Sequence, residues 1–146
     1  MWDDITDLTD EIRQTFNALA VAVDELHAES AISAHLRAVL EYLLLNGPTT
    51  VPDIARARRV SRQHIQTAVN ELRALLLLDS RPNPSHRRSP LMELTAEGQS
   101  TIVEMRRLER LAFEHCFVDV DPADVAIAAD TVRALRQAIP ERGDQR

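Results

Sequence analysis

The stretch Val60-Ser61-Arg62-Gln63-His64-Ile65-Gln66-Thr67-Ala68-Val69-Asn70-Glu71-Leu72-Arg73 decides the fold. At about 100° per residue, Ile65, Ala68, Val69, Leu72 and, further on, Leu76 gather on one side of a helix. The opposite side gathers Gln63, Gln66, Thr67 and Asn70, with Arg62 at its leading edge. Ser61 is the expected N-cap. Just upstream, Thr50 stands three residues before Asp53, a capping-box spacing with Asp in place of Glu, and opens a short helix carrying Ile54 and Ala55. Downstream, strand-like pieces over Leu77–Arg81 and Leu91–Leu94 flank the proline-rich basic loop Pro82-Asn83-Pro84-Ser85-His86-Arg87-Arg88-Ser89-Pro90. Two helices joined by a tight turn, then a hairpin with arginines at its tip, form a winged helix-turn-helix. The predicted fold class is mainly α with a small β-hairpin wing.

Outward from this centre the chain is helical. Ile5, Leu8, Ile12, Phe16, Leu19, Val23 and Leu26 recur every three or four residues, predicting a long amphipathic helix from Asp4 to about His27. A second helix follows Ser33 through Leu36, Val39, Leu40, Leu43 and Leu44, and stops at Asn46-Gly47-Pro48. Beyond the wing, Thr95 opens a helix with Ile102, Met105, Leu108, Ala112 and Cys116 on one stripe. Asp121-Pro122 opens a last helix carrying Val125, Ala128, Val132, Leu135 and Ile139, and Pro140 to Arg146 reads as a polar tail. The terminal stripes carry more apolar surface than a two-stripe monomer needs to cover. A second copy of the chain could cover them, or in a monomer each could cover the other.

The chain has 146 residues, 45% of them apolar and 27% charged, a composition that excludes disorder and collagen-like repeats. Its net charge of −6 is an average over two unlike regions. Residues 54–90 hold eight arginines (56, 58, 59, 62, 73, 81, 87 and 88) against Glu71 and Asp79, a window of +6; the other nine arginines face 21 acids, leaving −12 elsewhere. No lysine occurs, so every basic side chain is a planar, bidentate donor. The charge asymmetry points to an anion-binding surface on an acidic body.

A major groove admits a helix whose exposed side chains are short and carry both donors and acceptors. Ser61, Arg62, Gln63, His64, Gln66, Thr67 and Asn70 are therefore the candidate DNA-reading set, with Arg87 and Arg88 of the wing entering the neighbouring minor groove. Thr50 and Arg59 are candidates for contact with the DNA backbone. A basic face docking on an acidic protein partner is the alternative. The five histidines show no metal-ligand spacing, no Ser-His-Asp order is suggestive and no glycine-rich phosphate loop occurs, so no enzyme, metal or cofactor is expected. The single Cys116 is read as a small core residue or a redox sensor. The acidic first ten residues lack the positive region of an export signal, and every apolar run falls far below the ~20 residues that span a bilayer. Cytoplasmic location, with no membrane partner, is the expectation.

Residues Asn46 to Gly98 resemble the multiple antibiotic resistance regulator (MarR) family of bacterial transcription factors. The resemblance rests on Gly47-Pro48-Thr49-Thr50-Val51-Pro52-Asp53-Ile54-Ala55, on Val60-Ser61-Arg62-Gln63-His64-Ile65, on the wing Arg81 to Arg88 and most strongly on Leu94-Thr95-Ala96-Glu97-Gly98. It implies a homodimer on a pseudo-palindromic operator, usually a repressor, released by a small phenolic or lipophilic effector or by thiol oxidation. It also implies one intertwined domain, with dimerisation helices over 1–32 and 99–146 and the DNA-binding region over 33–98. An effector cavity is expected where the second helix meets the fifth, with His35, Tyr42 and Arg110 as its polar lining. The sequence departs from the family where Arg59 and Leu76 replace turn glycines, and where His86 stands in place of an acid that usually orients the wing arginine, here Arg88.

Overall fold

The computed structural model describes residues 2–140; the expected tail from 141 onward lies outside the described residues. The elements are α1 (Trp2–Leu26), α2 (Ala34–Asn46), β1 (Thr49–Thr50), α3 (Val51–Arg58), α4 (Arg62–Ala74), β2 (Leu78–Arg81), β3 (Leu91–Leu94), α5 (Ala96–Glu114), a 3-10 turn (His115–Phe117) and α6 (Pro122–Ala138). Side-chain caps set five of the helix starts. Ser33, Thr50, Ser61, Thr95 and Asp121 accept the backbone N–H of Leu36, Asp53, His64, Gly98 and Ala123 respectively. At Thr50 the hydroxyl donates a hydrogen bond to the carboxylate of Asp53, Oγ1 to Oδ2 at 2.7 Å, where a capping-box acid would reach back to a backbone N–H.

The sheet has three antiparallel strands in the order β1-β3-β2, with Thr49 opposite Met92, Thr50 opposite Leu91 and Leu78 opposite Leu94. Strand β1 is a piece that alternation did not signal, because two residues are too few to show a period. It fastens the start of α3 to the wing. The core lies among α2, α3, α4 and α5, where Val39, Leu40, Ile54, Ile65, Val69, Leu72 and Ile102 are fully buried.

Two turns frame α4, and both hold a non-glycine residue in the left-handed region: Arg59 at φ 55° and Leu76 at φ 60°. Each follows the same hydrogen-bond scheme. The N–H of Arg59 reaches Arg56 O and that of Val60 reaches Ala55 O, both at 3.1 Å; the N–H of Leu76 reaches Arg73 O at 3.0 Å and that of Leu77 reaches Leu72 O at 2.9 Å. These are paired helix-ending turns in which glycine normally takes the left-handed place. Leu76 therefore leaves the apolar stripe on which the helical period put it and is 74% exposed. Strand β2 accordingly starts at Leu78, one residue later than expected. Replacing Leu76 by glycine should stabilise the fold by about 1 kcal/mol. The check is thermal unfolding followed by circular dichroism, in which a midpoint at or below that of the parent would show the strain to be absorbed.

The stripe expected on α5 is buried only at Ile102 and Met105; Leu108, Ala112 and Cys116 are exposed in the single chain. The reason is visible in the terminal helices. Neither α1 nor α6 buries a residue, and Leu19, Phe117, Val120, Val125, Ala128 and Val132 line an apolar groove of about 740 Å³ between them. No helix among the described residues is long and apolar enough to cross a membrane.

Candidate nucleic-acid interface

Helix α4 presents its polar side to solvent, with Ser61, Arg62, Gln63, His64, Gln66, Thr67 and Asn70 all exposed. Several of these side chains are held by specific partners. Ser61 Oγ accepts the His64 N–H at 3.1 Å, so its first role is capping. The Thr67 hydroxyl donates to Gln63 O at 3.0 Å. Gln66 Nε2 donates to Asn70 Oδ1 at 2.9 Å, an i,i+4 pair along the exposed face. His64 Nε2 lies 2.9 Å from Nδ1 of His35 on α2, the two rings meeting edge to face. That pair fastens the first turn of α4 to the first turn of α2.

Between α4 and the wing runs a groove of about 470 Å³ whose walls include Arg62, Gln63, Gln66 and Arg73 from the helix and Ser80 and Arg88 from the wing. Arg73, counted in the basic window but not among the reading set, falls at about 100° per residue between Arg62 and Gln66 on the same face, so the helical period did carry a signal for it. The wing loop is shaped by Asn83, whose Nδ2 donates to Ser89 O at 3.0 Å and whose Oδ1 accepts the Ser85 N–H at 3.0 Å. Arg87 and Arg88 are exposed and form no ion pair among the described residues. His86, standing where the resembling family has an acid, lies within electrostatic reach of Asp53 on α3. The Asp53 carboxyl is held below its ordinary pKa by the Thr50 hydroxyl first, then by Arg56, with a smaller contribution from His86.

The two backbone-contact candidates fare differently from the reading set. Thr50 is buried, and its hydroxyl is engaged by Asp53 and by the N–H it caps, so here it is a structural cap rather than a free phosphate donor. Arg59 is exposed, but its Nη2 donates to Ile139 O at the end of α6, 2.8 Å away.

The expected effector lining does not come together. His35 is paired with His64, Tyr42 packs half-buried against the core and Arg110 points to solvent from α5. The junction of α2 and α5 is occupied instead by charged groups. Glu109 Oε1 lies 3.0 Å from Nε2 of buried His27 and 3.7 Å from Nε of buried Arg37, whose Nη2 donates to Asp24 at 3.2 Å. A cleft of about 520 Å³ opens beside Asp24, His27, His35 and Arg37. One signal in the sequence marked this cluster: Arg37 follows Leu36 and precedes Val39 inside the most apolar helix, where a cation needs a partner.

Fold and surface together define a winged helix-turn-helix protein. Residues 37–89 match the model of the MarR family. An uncharacterized protein of Mycobacterium tuberculosis is 33% identical over 90 residues, covering 62% of this chain and 63% of that protein, so the match spans under two thirds of the relative. Among solved structures, the transcriptional regulator BldR from Sulfolobus solfataricus superposes with a TM-score of 0.80 at 17% identity, over 94% of this chain and 97% of that one. Bordetella bronchiseptica BpsR gives 0.74 at 21% identity, over 90% and 94%. The chain therefore shares the fold of these transcription regulators, and its central segment is similar to the MarR family.

Proposed function

We propose that the protein is a sequence-specific DNA-binding transcription repressor acting as a homodimer on a pseudo-palindromic operator. The observation that carries this reading is the groove in which Arg62, Gln66 and Arg73 of α4 face Arg88 of the wing, inside the +6 segment of an otherwise acidic chain. A helix with mixed donors and acceptors suits base edges, and exposed arginines suit phosphates and the minor groove. The apolar faces of α1 and α6 support the dimer, because a single chain leaves them open to water. Two copies of α4 about one helical turn apart, ~34 Å, would then read two half-sites.

A small-molecule effector belongs to the same proposal. BpsR is a protein whose DNA binding is regulated by 6-hydroxynicotinic acid. In this chain the cleft beside Asp24 and Arg37 is the best-placed site, since an acid could replace Asp24 on the Arg37 guanidinium. A cytoplasmic location follows from the regulatory role.

The test is a gel-shift titration against duplexes tiled across the DNA flanking the gene, at several salt concentrations. Salt-dependent binding of one fragment is expected, with Arg88→Ala weakening all duplexes about tenfold and lowering the salt slope by about one, and Arg62→Ala weakening the preferred duplex most. Absence of binding to every duplex at low salt would sink the proposal in favour of an acidic protein partner on the basic face.

A further inference from the structure

Among the polar side chains facing outward from α4, the Gln66–Asn70 pair carries a side-chain bond that fixes what it can offer a base. A free glutamine amide can turn either its carbonyl or its two N–H groups toward a groove. Here one N–H of Gln66 Nε2 is donated to Asn70 Oδ1 at 2.9 Å. What remains is Oε1, an acceptor, and the second N–H, a donor. Adenine presents N6–H as a donor and N7 as an acceptor in the major groove, which this remainder matches, whereas guanine presents two acceptors, O6 and N7, and would leave Oε1 facing an oxygen. While Nε2 is engaged in this way, the amide cannot turn both N–H groups to guanine.

We propose that Gln66 reads an adenine in each half-site and that Asn70 is the residue that makes this reading selective against guanine, by holding the Gln66 amide in one orientation. The inference rests on the DNA-binding reading above and adds the base it recognises. Asn70 acts through Gln66 and is a positioning residue. Its neighbour Thr67 is locked in a similar sense: the hydroxyl proton is engaged by Gln63 O, so Thr67 can offer lone pairs and a methyl group but no donor.

The experiment is selection of bound duplexes from a random pool by the full chain, followed by affinities for the selected duplex with each base at every position. The wild type should select one strongly preferred adenine per half-site, with guanine there weakening binding about ten- to hundredfold. Gln66→Ala should abolish that preference. Asn70→Ala should narrow the adenine-to-guanine ratio to a few-fold while leaving the preferences at other positions in place. Asn70→Asp can only accept the Gln66 N–H and cannot support the reversed amide, so it should retain or sharpen the ratio while weakening every duplex through its added negative charge. If the wild type selects an operator but Gln66→Ala selects the same bases, or Asn70→Ala keeps the full ratio, the inference is overturned and DNA binding stands. If no duplex is enriched, the DNA-binding reading falls and takes the inference with it.

Discussion

Gly98→Ala is expected to destabilise the fold severely. A Cβ at this position would sit 1.9 Å from Leu77 O and 2.9 Å from Leu77 C, both backbone atoms that no side-chain rotation can move aside. The crowding exists because the first turn of α5 is laid directly on the turn that ends α4. Thr95 makes that contact. Its N–H donates to Leu77 O at 3.1 Å, its hydroxyl donates to Leu76 O at 2.8 Å, and the same oxygen accepts the Gly98 N–H at 3.0 Å. An added methyl must either compress this contact or lift α5 away from it, breaking the two bonds from Thr95 to Leu76 O and Leu77 O and unpacking Ile102. The loss should be about 3–5 kcal/mol, a large part of the 5–15 kcal/mol that stabilises a typical domain. Thermal melts should show a collapse of the midpoint for Gly98→Ala and none for the adjacent exposed Gln99→Ala. Equal midpoints for the two variants would refute the packing account.

The second large effect concerns the terminal helices. Leu19 and Val125 line the apolar groove between α1 and α6 and are each about 40% exposed in the single chain. In a monomer, Leu19→Asp with Val125→Asp would place two carboxylates in water at little cost. In the proposed dimer it would bury unpaired charge at the contact, a penalty of several kcal/mol that association cannot absorb. Light scattering should report a dimer for the wild type and a monomer for the double variant. Affinity for the operator should fall at least about a hundredfold, since one half-site no longer helps to hold the other. A double variant that keeps the dimer mass would show that these faces are not the interface.

Local chemistry was the part of this molecule legible in its sequence. Ser33, Thr50, Ser61, Thr95 and Asp121 cap helices because a cap depends on residues two or three positions away, and so does the period that assigned Ile65, Ala68, Val69 and Leu72 to the core. Leu76 escaped this logic because a helical period carries no information about where the backbone turns left-handed. Pairings across long separations were also invisible: His27 meets Glu109 and His35 meets His64 only because α5 and α4 are packed on α2. For the same reason the three residues of the expected effector lining are dispersed, with His35 alone at the cleft beside Arg37. Of His35, Tyr42 and Arg110, the first belongs to the α4 start, the second to the core and the third to solvent. Apolar periodicity on α1 and α6 established that a face needs covering without indicating what covers it.

The hydrogen bonds within the α4 surface have a thermodynamic side as well. Gln66, Thr67 and His64 are already confined by Asn70, Gln63 O and His35 before any duplex arrives. Immobilising a rotamer-rich side chain at an interface costs about 0.5–1.5 kcal/mol. For these three the ordering is incurred when the chain folds and is not repeated on complex formation. A duplex therefore meets a surface with little configurational freedom left to lose, and its dissociation returns little of that freedom to the protein.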